Sequence, residues 1–377
     1  MLGDKQNEVG IIFLLSGFAF IGVFFRQYLF GYDGYAFVSF ARGFVGSFGW
    51  HPGFDYIVGY LPQSFLIYEL LMFFCFFISL LALYYIGKSL FSADRSFVAL
   101  LVLLAGSPIM LFEFAKFENE LIAFPLLFWS FYFVYARKGW KNQVVGLLLS
   151  LFAVLFWWGA FVWIGIIAFG LALPFTILFI VSLPFLWDKL GWAFGTIQGV
   201  LFNMPFYGLI NFFLLFFAIP FVFLEKNKKI LVPALICLMC LCFSARFVIL
   251  FVPFLLIGIV YLVDVLLKRG IALKTIVITC FFFIICWNVA INLQHPTGSE
   301  MALVDYHVEL CDLNKKCLND WDFGWWIESQ GLDTNWRGGF PNPDYNLESK
   351  PFFALTMQDL NCVLLKQEGL MKEYNCN

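Results

Sequence analysis

Charge is what this 377-residue sequence has least of: Asp, Glu, Lys and Arg make up 13% of it, about half the share of an ordinary soluble domain. Hydrophobic residues account for 62%, 52 phenylalanines among them, and the mean hydropathy is +0.87. That balance excludes a soluble globular domain and implies an integral membrane protein. There is no basic excess either, the formal net charge being −2, so nucleic acid is not a partner. Internal repeats and low-complexity linkers are absent. The first apolar run, Gly10 to Phe25, lacks the small-residue cleavage site of a signal peptide and is read as a first membrane span.

The few charges are unevenly placed. From Gln294 onward there are 13 acidic and 6 basic residues, against 12 and 17 before it. A basic membrane part followed by an acidic tail predicts two domains: a transmembrane bundle over residues 1–293 and a small extramembrane domain over 294–377. A helix needs about 20 apolar residues to cross the hydrocarbon core. Candidate spans are Gly10–Phe25, Leu70–Gly87, Ser96–Phe112, Leu121–Ala136, Ile230–Phe243, Phe247–Leu267 and Ile276–Leu293, with Asn142–Leu224 long enough for about four more. Between Asn142 and Leu224 the only charges are Asp188 and Lys189, and Pro174, Pro184 and Pro205 leave its division open.

Basic clusters at Lys88/Arg95, Arg137/Lys138/Lys141, Lys226/Lys228/Lys229 and Lys268/Arg269/Lys274 fall on one side only if two spans separate neighbouring clusters. The positive-inside rule makes that side cytoplasmic. The resulting expectation is an all-α polytopic protein of the cell membrane with about eleven transmembrane helices, a cytoplasmic N-terminus and an extracytoplasmic C-terminal domain, α or α/β. Cys75, Cys237, Cys240, Cys242, Cys280 and Cys286 lie in apolar runs and read as packing residues. Cys311, Cys317, Cys362 and Cys376 fall in the tail, where an oxidising compartment permits two disulfides in three connectivities. Cys311 with Cys317 closes the shortest loop.

This topology gathers the unusual polar groups on the external side. Asp33, in Tyr32-Asp33-Gly34-Tyr35, lies in the first external loop with Arg42 and Asp55. It can bind a metal, accept a proton, or be an ordinary solvated carboxylate. Phe117-Glu118-Asn119-Glu120 puts two carboxylates one residue apart at the mouth of a helix. Hard oxygen ligands so placed suit Mg²⁺ or Mn²⁺, and such a cation neutralises a phosphate leaving group. The plainer account is a helix first turn that favours acids. Arg246, between two apolar runs, offers a fork matched to phosphate oxygens, or snorkels at the interface. Asp320-Trp321-Asp322-Phe323-Gly324-Trp325-Trp326-Ile327 joins an indole N–H at Trp321 to a carboxylate acceptor at Asp322. That pair can recognise a hydroxyl, and the alternative is a tryptophan-rich cap on the membrane surface.

Together these segments resemble the catalytic subunits of oligosaccharyltransferases. Phe117-Glu118-Asn119-Glu120 resembles their second-loop acidic motif, Trp157-Trp158-Gly159-Ala160-Phe161 the tryptophan-glycine turn that follows, and Ser244-Ala245-Arg246-Phe247 their arginine-phenylalanine segment. Asp320-Trp321-Asp322-Phe323-Gly324 with Ile327 resembles the signature after the last helix. The resemblance implies a GT-C type membrane glycosyltransferase, a metal-dependent, inverting enzyme of protein N-glycosylation, in a shortened, prokaryotic-like, monomeric form. It would move a glycan en bloc from a polyprenyl (dolichyl) phosphate or pyrophosphate carrier to asparagine in Asn-X-Ser/Thr. By the same resemblance Asp33 and Glu120 are catalytic, Asp33, Glu118 and Glu120 hold Mn²⁺ or Mg²⁺, Arg246 faces the lipid-linked phosphate, and Trp321 and Asp322 hold the acceptor hydroxyl.

The match is incomplete. Asp320 replaces the signature's first tryptophan, and Thr196-Ile197-Gln198-Gly199 carries glycine where the family's external loop has a metal-reaching glutamate. Met357-Gln358-Asp359-Leu360 through Leu364 has a weaker similarity to a helix motif flanking the acceptor pocket. Two other readings are compatible with the sequence: a GT-C enzyme acting from a polyprenyl-phosphate sugar on a lipid or glycan, and a catalytically inactive membrane subunit.

Overall fold

A computed structural model of the chain describes residues 5–26, 28–29, 33–41, 52–62, 64–137, 139–157, 159–170, 180, 228–243, 248–292, 296–312, 316–319, 323, 326–327, 329–330, 336–337, 340–341, 352–360, 362–368 and 370–376. It is mostly helical with a small C-terminal sheet. Contacts divide it into two compact units: Met1–Ile21, Phe73–Phe114 and Asn119–Asn288 form one, and Gly22–Met72, Ala115–Glu118 and Val289–Asn377 the other.

Four described helices are long and apolar enough to cross a membrane: α1 (Lys5–Phe24), α4 (Phe65–Leu90), α11 (Val248–Lys268) and α12 (Leu273–Asn292). The span expected over Ser96–Phe112 is instead two helices, α5 (Ala93–Gly106) and α6 (Ile109–Ala115), meeting at 72°. Pro108 explains the break: the residue before a proline is pushed out of the helical region, and Ser107 is extended at φ −138°, ψ 97°. The pair counts as a fifth span if taken together. Helix α7 (Glu120–Phe131) runs into a π turn at Tyr132–Ala136, followed by α8 (Trp140–Val154), α9 (Ala160–Gly170) and α10 (Lys228–Phe243). Of the stretch Asn142–Leu224, where about four spans are expected, the first part is α8 and α9, and residues 171–179 and 181–227 lie outside the described residues.

Within the first unit, small residues let helices approach. Ser130 Oγ of α7 donates to Gly146 O of α8 at 2.8 Å and lies 2.7 Å from Ser150 Oγ. A Cβ on Gly146 would sit 2.6 Å from Val134 Cγ2, so only glycine allows this spacing. Trp287 Nε1 of α12 donates to Ala105 O of α5 at 2.8 Å, and Arg95 of α5 pairs with Asp264 of α11 at 3.0 Å. Glu8, buried on α1, accepts from Lys88 Nζ at 2.6 Å, so a charge in the first helix is compensated. Outward faces are apolar, as a lipid-facing surface requires: Phe282, Ile278 and Val289 of α12 are all exposed. Cys286 belongs to that outer face rather than to the packed interior expected for it, because α12 buries so little of its surface; Cys75, Cys237 and Cys280 are buried.

The second unit contains α2 (Asp33–Ala41), α3 (Pro52–Tyr60) and a C-terminal α/β domain. The latter begins with α13 (Gly298–Asp312), whose start is closed by reciprocal bonds: Thr297 N–H donates to Glu300 Oε2 at 2.8 Å and Glu300 N–H to Thr297 Oγ1 at 3.3 Å. Strands β1 (Lys316–Asn319), β4 (Phe352–Thr356), β5 (Val363–Glu368) and β6 (Met371–Cys376) form a sheet ordered β1-β4-β6-β5, with β1 parallel to β4 and the other pairs antiparallel. Strands β2 (Trp336–Arg337) and β3 (Phe340–Pro341) form a separate ribbon.

Helix α13 packs on β4, β5 and β6. A Cys311–Cys317 disulfide, with Cα atoms 5.9 Å apart, staples α13 to β1, and Cys362 is disulfide-bonded too. The segment compared with a helix motif, Met357–Leu360, is not helical. Thr356 Oγ1 takes the Gln358 N–H at 3.0 Å and starts a turn, which leads into β5. Asp359, in that turn, pairs with Lys372 and accepts from Tyr374 Oη at 3.4 Å.

Candidate functional site

The acidic motif occupies the junction before α7. Glu118 and Glu120 are half-buried, and Asn119 between them is buried. Asn119 adopts a helical backbone (φ −60°, ψ −29°) and does not cap α7 with its side chain. Its amide instead donates to Phe156 O at 3.0 Å, across 37 residues. The tryptophan-glycine turn begins at that carbonyl. Trp157 is buried and meets Phe124 of α7 edge-on at 5.5 Å. Trp157 also folds back over Gly159: a Cβ there would lie 2.6 Å from Cη2 and closer still to Cζ2 and Cε2. The two motifs therefore meet, and Asn119 is their clasp.

Aromatic rings connect the other segments within the second unit. Tyr35, two residues into α2 from Asp33, packs on Trp326 at 6.4 Å and on Phe65 at 6.5 Å. Phe65 reaches Tyr68 at 6.5 Å, Tyr68 reaches Phe117 at 4.4 Å, and Phe117 reaches Phe54 at 5.4 Å. Phe54 then meets Phe37 of α2 at 4.6 Å. Trp326, Tyr35, Tyr68, Phe117 and Phe54 are essentially inaccessible to solvent. This run of rings starts in the C-terminal tryptophan stretch, passes Tyr35 of the helix that Asp33 opens, reaches Phe117 next to Glu118, and returns through Phe54 to that helix at Phe37. Phe323, Trp326 and Ile327 are fully buried, so this part of the stretch is core.

Arg26 braces the same unit. Its guanidinium donates to Tyr28 O at 3.3 Å, to Pro296 O at 3.1 Å and to Ile291 O, tying the exit of α1 to the chain between α12 and α13. Burial lowers its pKa, opposed by the nearby Tyr35; an arginine keeps its charge at neutral pH regardless.

Each expected site residue has a place, or none, in the described structure. Asp33 begins α2, with only its backbone described; Glu118 and Glu120 flank Asn119; Arg246, Trp321 and Asp322 lie outside the described residues, as do Asp320 and Thr196–Gly199. Sequence reasoning passed over Asn119, Tyr35, Phe117 and Arg26. Asn119 and Phe117 stand inside the quoted motif, but their partners are a distant backbone carbonyl and distant rings. Arg26 directly follows the first apolar run, and nothing in its surrounding sequence points to three carbonyls.

No protein-family profile matches the chain, and no curated protein matches it by sequence. A solved structure does resemble it: the oligosaccharyltransferase of Archaeoglobus fulgidus, in complex with zinc and sulfate, at TM-score 0.54 and 12% identity over 87% of this chain. The likeness is one of fold. The chain shares the fold of an archaeal oligosaccharyltransferase. It spans 62% of that protein's length.

Proposed function

We propose that this chain is a membrane glycosyltransferase of the oligosaccharyltransferase kind, transferring a glycan en bloc from a polyprenyl phosphate or pyrophosphate carrier to asparagine in Asn-X-Ser/Thr, with inversion at the sugar carbon. The observation that carries the reading is the run of aromatic rings from Trp326 through Tyr35, Phe65 and Tyr68 to Phe117, all buried but the half-buried Phe65. It draws together three segments that are far apart in sequence and that each hold a residue the chemistry needs. The shared fold supports the same reading.

An amide nitrogen is a poor nucleophile because its lone pair is delocalised into the carbonyl. The Asp33 carboxylate hydrogen-bonds the acceptor amide and takes its proton as the nitrogen bonds to the anomeric carbon; the bond from that carbon to the phosphate oxygen breaks, and the phosphate leaves with the electron pair. Arg246 binds the lipid-linked phosphate bidentately. Trp321 and Asp322 pair with the acceptor hydroxyl, and an acceptor lacking it would leave them unpaired. Carboxylates at positions 33, 118 and 120 are hard oxygen donors, and Glu118 and Glu120 are half-buried, with Glu120 Oε2 inside; as a donor set they fit Mn²⁺ or Mg²⁺, which when bound would neutralise charge on the departing phosphate. With the topology proposed, residues 1–293 form a bundle of about eleven helices with the N-terminus cytoplasmic, and residues 294–377 and the site face outward.

The test incubates purified protein and Mn²⁺ with a lipid-linked glycan extract and labelled peptides containing Asn-X-Thr, Gln-X-Thr or Asn-X-Ala. Glycopeptide should form from the first alone and be lost with Asp33→Ala and Glu120→Ala. Absence of product from every donor, or equal use of the three peptides, overturns the assignment. Transfer to a lipid or glycan instead would mark the other GT-C reading.

A further inference from the structure

At the centre of the C-terminal domain lies a buried cluster with no role in transfer. His307 and Cys311 stand one turn apart on α13 and so share a face; Cys317 comes from β1 and Glu373 from β6. None of the four is more than 6% exposed. His307 Nδ1 lies 2.8 Å from Glu373 Oε2, and its Nε2 lies 3.5 Å from Cys311 Sγ. The ligand atoms of His307, Cys311 and Cys317 all fall within 4.8 Å of one another. Glu373 Oε1 is buried without a hydrogen-bond partner among the described residues.

A staple alone needs only the two sulfurs. Burying an imidazole and a carboxylate beside them is costly, and a carboxylate oxygen left without a partner makes it more so. With the carboxylate as acceptor, Nδ1 carries the proton and Nε2 presents its lone pair toward the sulfurs. This is the arrangement by which a carboxylate holds a metal-binding histidine.

We propose that the dithiol form of this cluster binds a thiophilic divalent cation of the zinc class through His307 Nε2, Cys311 Sγ and Cys317 Sγ, with Glu373 holding the imidazole and water in the fourth position. Metal and disulfide then exclude each other. Zinc bonded at about 2.05 Å to nitrogen and about 2.3 Å to sulfur sets those atoms about 3.5 Å apart at the tetrahedral angle, the separation already present between His307 and Cys311. Two thiolates on such an ion lie about 3.8 Å apart, so the sulfurs must part before the ion enters. The 5.9 Å between the Cα atoms leaves room for side-chain rotation to do this. The step balances: a dithiol donor gives two electrons and two protons to the disulfide and becomes a disulfide itself, and the two new thiols release their protons as the cation binds. The cation at Nε2 polarises the Nδ1–H bond, and the hydrogen bond it donates to Glu373 strengthens.

Cobalt is the probe. Full-length protein in detergent, reduced with a phosphine and desalted without oxygen, is titrated with Co²⁺. The reduced chain should bind one ion with thiolate-to-cobalt charge-transfer bands and tetrahedral visible bands, and Zn²⁺ should displace it. The oxidised chain should show neither. Cys311→Ser with Cys317→Ser should abolish the bands despite the remaining cysteines, and Glu373→Gln should weaken binding about 10- to 100-fold. Missing bands in the reduced protein, equal binding by the oxidised protein, or bands that survive the double substitution each overturn the proposal.

Discussion

Gly159→Ala probes the contact that unites the acidic motif with the tryptophan-glycine turn. One added methyl group would land on the ring of Trp157, 2.6 Å from Cη2. Trp157 cannot swing aside freely, being buried against Phe124. Forcing atoms into a packed core costs about 1–3 kcal/mol. Displacing the indole also forfeits the edge contact, worth about 0.5–1.5 kcal/mol, and strains the Asn119–Phe156 bond, worth about 1 kcal/mol. The expected loss is about 2.5–5.5 kcal/mol, with Glu118 and Glu120 shifted and transfer reduced more steeply than stability. Thermal unfolding in detergent, measured beside glycopeptide formation, provides the assay. The cycle with Trp157→Ala is decisive: once the ring is gone, Gly159→Ala should cost almost nothing. Equal destabilisation with and without the indole refutes the reasoning.

Three other perturbations have defined outcomes. Arg26→Met removes donors from three carbonyls and should destabilise the protein by about 2–4 kcal/mol, read as a lower unfolding midpoint that Arg26→Lys only partly restores. Trp326→Ala should cost about 3–5 kcal/mol as a core truncation, whereas Trp326→Phe should retain most of the stability in the same assay. The hydrogen bond and charge of Lys372 lower the pKa of exposed Asp359, and Asp359 correspondingly raises that of Lys372. A depressed acid pKa adds stability above its unfolded value and loses it as pH falls through the folded one, so the small difference between wild type and Asp359→Asn in unfolding midpoint should be constant near neutrality, begin to shrink below about pH 4 and vanish once pH has passed the folded value.

Much of the architecture is legible in composition. Long apolar runs at Gly10, Leu70, Phe247 and Ile276 are helices within a few residues of their expected ends because no competing structure satisfies so apolar a backbone. Pro108 shows the limit: hydropathy continues across it while the helix does not. Local spacing anticipated the Cys311–Cys317 bridge, since six residues close easily. The motifs name segments but not their supports. Asn119 reaches Phe156, and Tyr35 meets Trp326 across 291 positions; such contacts are set by tertiary packing, for which one sequence carries no period. His307 and Glu373 were likewise invisible as a pair, since one is on α13 and the other on the strand that closes the chain.

That the first external loop and the C-terminal tryptophan stretch build one site is the claim everything else depends on. A photoreactive phenylalanine analogue at position 35, activated in the full-length membrane-embedded protein and mapped by mass spectrometry, tests it directly. Cross-links should form to the peptide containing Trp326 and to the one containing Phe65. Cross-links that avoid residues 320–330 altogether would contradict it.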